Sequence, residues 1–347
     1  MIKVLVVDDS AIVRKILAEE LSKYVDIEVV GTAVDPYAAR DKIVRLQPDV
    51  ITLDLEMPRM DGLSFLAKLM RHYPMPVVVV SSLTPRNSEM AIKALELGAV
   101  EVICKPGAAY STPDIARELV NAIRAAASAK VRRDSASSGP EDEMPQEIGL
   151  ETSHKIVAIG ASTGGTRAVE DILKVLPANA PGMMIVQHMP ENFTRAFADR
   201  LNHLCRVEVR EAKDDDKVVP GVALVAAGGK HMLLKRSGAL YMARVKDGPP
   251  VHHQRPSVDV LFESVAANAG PNAVGVLLTG MGADGARGLL AMRQKGAHTI
   301  CQDEASCVVF GMPREAIKLG AADEVRSLTA IPKAMLDAVQ RQKVTTK

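Results

Sequence analysis

Tryptophan is absent, and aromatic residues make up only 3% of the 347 residues. Any core must therefore be built from Val, Leu, Ile, Ala and Met. Charge imbalance is missing too: 43 Lys and Arg face 42 Asp and Glu, a formal net charge of +1. Such balance gives no electrostatic case for nucleic acid or an anionic membrane as partner. Cysteine is sparse. Cys104, Cys205, Cys301 and Cys307 form no CxxC pair, which argues against a zinc site or disulfide frame and for small buried hydrophobes in a reducing compartment. Apolar runs such as 77–80 fall far short of the roughly 18 residues that span a bilayer. The amino terminus, MIKVLVVDDS, runs into a strand and reaches acid at once, unlike a secretory signal. A soluble cytoplasmic protein without membrane insertion is the expectation.

What is present reads as two α/β domains. The length exceeds one typical core of about 100–200 residues. Over 1–127, short β-branched runs at 2–7, 28–33, 49–55, 76–82 and 100–105 alternate with helical spacing, as in Ile12, Val13, Ile16, Leu17 and Leu21, and again in Ile92, Leu95 and Ala99. Five strands each followed by a helix predict a doubly wound parallel sheet, with ligands at the strands' carboxyl ends. Residues 128–153 lapse into Ser, Pro, Gly and mixed charge, a linker composition. Over 154–347 the alternation resumes. Strands are expected at 155–162, 183–189, 207–212, 222–227 and 273–280, helices at 165–176, 191–203, 257–268 and 285–295, and an antiparallel hairpin over 231–245 turning near Ser237–Gly238. No repeat connects the two halves.

In the first domain Asp8 and Asp9 follow strand one, and Asp54 lies near the end of strand three. Clustered carboxylates repel and favour a divalent cation; Mg²⁺ suits carboxylates plus phosphate oxygens. Ser81 ends strand four and Lys105 ends strand five, offering a hydroxyl and a mobile positive charge. Acids at strand ends are often mere turn formers, but five strand ends acting together outweigh that reading.

These residues, in VDDS, TLDLEMPRMDG, VVVVSS and CKPG, resemble the receiver domain of two-component response regulators over about 1–125. The resemblance implies that Asp54 accepts a phosphoryl group from a histidine kinase. It further implies that Asp9, Asp54 and the Glu56 backbone carbonyl hold Mg²⁺ with Asp8 nearby, and that Ser81 and Lys105 bind the phosphoryl oxygens. A cis bond between Lys105 and Pro106 is also implied. One departure is Val102, where receivers usually carry Tyr or Phe.

In the second domain Ser162 lies in GASTGG between a strand and a helix, whose N-terminus can steady an oxyanion. As G-x-G-x-x-G the loop would bind a dinucleotide, but Ser162 replaces the middle glycine and no acid closes the next strand. As G-x-S-x-G it matches a lipase elbow. The loop alone leaves nucleophile and anion site equally open. A base is needed, and His188 ends the next strand; His231 and the His252–His253 pair are rivals. Asp284, after the 273–280 strand, would complete a triad, although alone it would be read as a helix N-cap. The chain order Ser, His, Asp differs from the lipase order.

The segments GASTGG, QHMP, PGVALVAAGGKHM, RPSVDVLFESVA, TGMGADGARGLLAMRQKGA and FGMPREAI resemble the catalytic domain of the bacterial chemotaxis protein-glutamate methylesterases, the CheB family, over about 155–330. That resemblance carries Ser162 over as nucleophile, His188 as general base and acid, Asp284 as its orienting partner and the Met281 backbone N–H as oxyanion donor. Ala227 departs from the family's usual proline. The implied reaction is hydrolysis of glutamyl methyl esters, with deamidation of glutamines, on methyl-accepting chemoreceptors. The ester step needs no cofactor. Alternatives are a regulator of a related chemosensory pathway and a non-enzymatic regulator with a dinucleotide-binding output domain.

Overall fold

Val- and Ile-rich runs lacking polar alternation suit strands buried on both faces, as parallel sheets require. In this computed structural model, which describes residues 1–82, 84–105, 112–129 and 155–341, the chain divides into two compact units, Met1–Ser137 and Ser138–Lys347. Most of the expected linker, and the expected cis bond at Lys105–Pro106, lie outside the described residues.

The first unit pairs β1 (Ile2–Val7), β2 (Ile27–Ala33), β3 (Val50–Leu53), β4 (Val77–Ser81) and β5 (Glu101–Cys104) in the order β2-β1-β3-β4-β5. Every pairing is parallel. The helices are α1 (Ala11–Leu21), α2 (Pro36–Leu46), α3 (Gly62–His72), α4 (Pro85–Glu96) and α5 (Thr112–Ser128). Ser10, Asp35, Asp61 and Thr84 cap the first four, each side chain accepting a backbone N–H three residues on. Such caps satisfy donors that the helix itself leaves orphaned. The expected apolar stripe needs two corrections. Ile12 is exposed while Leu17 and Leu21 are buried, and Ala99 is buried beyond the end of α4 rather than on it.

The second unit is larger. It contains β6 (Ile156–Ala161), α6 (Gly165–Val175), β7 (Met183–Gln187), α7 (Phe193–Leu204), β8 (Glu208–Glu211) and β9 (Val222–Val225). The hairpin of β10 (His231–Ser237) and β11 (Leu240–Lys246) turns at Gly238 as expected. There follow α8 (Val258–Asn268), β12 (Ala273–Leu277), α9 (Ala286–Gln294), β13 (His298–Gln302), α10 (Met312–Lys318), β14 (Glu324–Arg326) and α11 (Ile331–Gln340). Seven strands lie in the order β14-β13-β12-β6-β7-β9-β8, all parallel. The chain runs outward from β6 through β7 to β9 and β8, then returns to the other side of β6 with β12. The neighbouring ends of β6 and β12 are thus a topological switch point, where open α/β sheets bind ligands.

Phe193, Phe197 and Phe262 are fully buried, and Phe262 shares one core cluster with Met184, Val186, Leu224 and Leu289. Sequence periodicity marked none of β13, β14, α10 and α11. HTICQ mixes polar and apolar residues, and β14 is three residues long, too short to carry a period.

Candidate active site and phosphoacceptor pocket

At the carboxyl edge of the first sheet, Asp8 and Asp54 are buried and Asp9 is exposed. Each offers a carboxylate oxygen within 4.8 Å of the others, a hard-oxygen donor set that fits Mg²⁺. Lys105 Nζ lies 2.7 Å from Asp54 Oδ2 and 2.9 Å from Asp8 Oδ2. Burial, with the Asp8 charge beside it, pushes the Asp54 carboxyl above its ordinary value in spite of Lys105. Burial would lower the Lys105 amine, but the two carboxylates outweigh it and raise that group. The Ser81 hydroxyl is buried and has no hydrogen-bond partner among the described residues. The backbone N–H of Glu56 donates to Asp54 Oδ1 at 3.2 Å, and Asn87 Nδ2 holds the Glu56 carboxylate at 3.0 Å. Val102 is buried in β5. All the residues read from the sequence for this pocket therefore meet at one edge.

The second site forms where β6, β7 and β12 end. The register pairs Ala161 with Gln187, so Ser162 and His188 leave neighbouring strands side by side, and the His188 N–H donates to Ala161 O at 3.0 Å. Gln187 is buried and clamps both: its Nε2 donates to Ser162 O at 2.9 Å and to His188 O at 3.0 Å. His188 Nε2 contacts Asp284 Oδ2 at 2.7 Å. Because a carboxylate can only accept, that nitrogen carries a proton, and in the neutral imidazole the lone pair is on Nδ1. Nδ1 is buried and has no hydrogen-bond partner among the described residues. Ser162 is nine-tenths buried, and its hydroxyl makes no hydrogen bond among the described residues; free enzymes often tighten this contact only with substrate bound.

Asp284 is anchored far more firmly than a loop acid. Beyond His188 it accepts the Ser257 hydroxyl at 2.8 Å and the N–H groups of Val258 and Asp259 at 2.8 and 3.0 Å. Two of these donors open α8, so the carboxylate sits at the positive end of that helix dipole. Ser257 is the N-cap of α8 and Asp284 accepts the next two N–H groups of that helix from a distant loop, while Gly285 caps α9. That placement differs from the local N-cap a single-segment reading suggests. Burial alone would raise the Asp284 carboxyl; the His188 hydrogen bond and the two N–H groups hold it instead at about 2.

The loop after β12 carries Met281, which is exposed, and its backbone N–H has no acceptor among the described residues. Thr279 shapes that loop. It accepts the Ser162 N–H at 3.0 Å through its carbonyl, and its own N–H donates to Gln302 Oε1 at 2.8 Å. A Cβ on Gly280 would stand 2.6 Å from Ser162 Cβ and 2.3 Å from Met312 Sδ, so only glycine lets the loop approach the serine so closely.

Two of the rival histidines, His231 and His252, are elsewhere engaged. His231 Nε2 donates to Pro249 O at 2.9 Å, and Nδ1 accepts the Ser257 N–H at 3.3 Å. His252 pairs with buried Asp259 at 3.0 Å. Although His252, Asp259 and Asp284 lie within 4.8 Å, every carboxylate oxygen there already accepts a hydrogen bond. Sequence reasoning missed Gln187, Ser257, Thr279 and Gln302. Buried polar side chains inside apolar runs were the signal that could have found them.

Comparison with known proteins gives one answer. The CheB methylesterase family model matches residues 157–335, and the response regulator receiver domain model matches 4–115. A protein-glutamate methylesterase/protein-glutamine glutaminase of Syntrophus aciditrophicus is 60% identical over 332 residues, covering 95% of this chain and 97% of that protein. One from Salmonella typhimurium is 53% identical, with 96% of each chain covered. The crystal structure of the Thermotoga maritima CheB methylesterase catalytic domain shares 37% identity at a TM-score of 0.52, covering 53% of this chain and 97% of that one. No helix of the described residues is long and apolar enough to cross a membrane. With relatives matched over nearly their whole length, and a receiver ahead of the catalytic domain, this chain belongs to the CheB methylesterase family.

Proposed function

We propose that this chain is a phosphorylation-controlled protein-glutamate methylesterase, and a glutaminase toward particular glutamines, acting in the cytoplasm on chemoreceptors. The observation that carries this reading is the buried 2.7 Å contact between His188 Nε2 and Asp284, which leaves the Nδ1 lone pair at the edge where Ser162 stands. His188 Nδ1 takes the Ser162 proton as Oγ bonds to the ester carbonyl carbon. The Met281 N–H steadies the oxyanion, aimed where charge develops. The carbon–methoxy bond breaks and His188 returns its proton to the departing methanol. Water, deprotonated by the same nitrogen, then adds to the acyl carbon; the bond to Oγ breaks as His188 returns that proton to Ser162, freeing glutamate. Asp284 holds the imidazole tautomer and stabilises the imidazolium throughout.

In the receiver, Asp54 takes a phosphoryl group from a histidine kinase, with Ser81 and Lys105 binding its oxygens. Asp8, Asp9, Asp54 and the Glu56 carbonyl would hold Mg²⁺, which neutralises phosphoryl charge when bound. Methanol release from methylated chemoreceptor membranes tests the whole proposal. Ser162→Ala should lower it by on the order of 10⁴ or more while leaving Asp54 phosphorylation intact; near-normal turnover would move the nucleophile elsewhere, with Thr163 next to be tested.

A further inference from the structure

A second polar layer stands behind Asp284. Apart from His188, Ser257 is the one side chain hydrogen-bonded to that carboxylate among the described residues, at 2.8 Å from Oδ1. Its hydroxyl is fully buried and also caps α8, accepting the Val260 N–H at 3.4 Å. Since the carboxylate can only accept, the hydroxyl proton points at Asp284 and a lone pair remains for Val260. The backbone of Ser257 is held in turn. Its N–H donates to His231 Nδ1, whose Nε2–H is fixed on the Pro249 carbonyl. A carbonyl cannot donate, so this arrangement requires neutral His231 with its proton on Nε2.

We infer that Ser257 is a positioning residue for catalysis, fixing the rotation of the Asp284 carboxylate so that Oδ2 faces His188, and that His231 fixes Ser257. With Oδ1 occupied by Ser257 and the Asp259 N–H, and Oδ2 by Val258 and His188, each oxygen has a defined task. Without the hydroxyl, the carboxylate gains freedom to turn about its last torsion. The base is then held less often in the geometry that attacks, which lowers turnover without touching the substrate's binding surface.

The inference rests on the triad reading, and the experiment separates the two. With full-length protein and methylated chemoreceptor membranes, Ser257→Ala should lower kcat by on the order of tenfold, as loss of a hydrogen bond to a charged group implies, with KM unchanged. In an Asp284→Asn background the same substitution should cost less than about twofold, because its target is gone. Should Ser257→Ala fold poorly, His231→Gln is carried through the same cycle, with a smaller loss in kcat and the same disappearance beside Asp284→Asn. Wild-type kcat in Ser257→Ala, or an equal loss in both backgrounds, overturns the inference. Activity surviving Ser162→Ala would sink the triad itself, whereas an inactive Ser162→Ala beside a normal Ser257→Ala sinks only the role of Ser257.

Discussion

Replacing Asp284 with Asn probes how much the catalytic domain depends on one buried charge. The carboxyl is held at about 2 against an ordinary 3.8, so ionisation contributes roughly 2 kcal/mol of stability at neutral pH. The folded value lies below the unfolded one. The contribution is therefore complete above about pH 4 and fades as pH falls through about 2. Asparagine loses this charge and gains two donors. If its amide nitrogen takes the Oδ2 place it opposes the Val258 N–H and His188; if it takes the Oδ1 place it opposes the Asp259 N–H, while the Ser257 hydroxyl can turn to accept. The second arrangement is cheaper and still strands one buried N–H, at about 1–3 kcal/mol. The Asn variant should thus be about 2–4 kcal/mol less stable at pH 7. Urea unfolding of a fragment from residue 150 onward, followed by circular dichroism, avoids the mixed transition of a two-domain chain. The gap between the two proteins should narrow as pH is lowered toward 2. Equal stability at pH 7, or a gap indifferent to acid, would refute the idea that the charge anchors α8.

Other outcomes can be checked alongside. His188→Gln should abolish methanol release and His252→Gln should leave most of it; comparable losses from the two would reassign the base. If the unphosphorylated receiver restrains the catalytic domain, the fragment from residue 150 onward should hydrolyse esters faster than the unphosphorylated full chain, and Asp54→Asn should keep the full chain slow with phosphodonor and Mg²⁺ present; a fragment no faster than the resting chain would show that the receiver activates instead. Gly62→Ala would set a Cβ 2.2 Å from the Asp54 carbonyl oxygen, so phosphorylation measured with radiolabelled phosphodonor should fall severely; normal labelling would show that the loop yields. Burial pushes the Cys104 and Cys301 thiols to about 12 and Cys205 to about 11, so thiol reagents at pH 8 should label these only slowly until the protein unfolds.

Much of the site was legible because parallel strands have a simple grammar. A polar residue directly after a buried β-branched run must emerge at the carboxyl edge, and Asp8, Asp54, Ser81, Lys105, Ser162 and His188 all do so. Their chemical types then limit what the edge can do. Local sequence was equally informative about caps, since Ser10, Asp35, Asp61 and Thr84 act within three residues of themselves. Of the departures within the motifs, Val102 lies buried in β5 and Ala227 follows the end of β9.

Sequence by itself thus determined two α/β domains, the strands that carry the chemistry and the residues at their ends, because those depend on periodicity and near neighbours. Tertiary structure alone decided that β12 returns beside β6, bringing Gly280 against Ser162. It also decided that Asp284 accepts the first N–H of α8, from Val258, 26 residues away in the chain, and that His231 and Ser257 stand behind it. Strand order and the pairing of buried polar groups follow from which distant surfaces pack together, and no local pattern records a partner that only folding supplies.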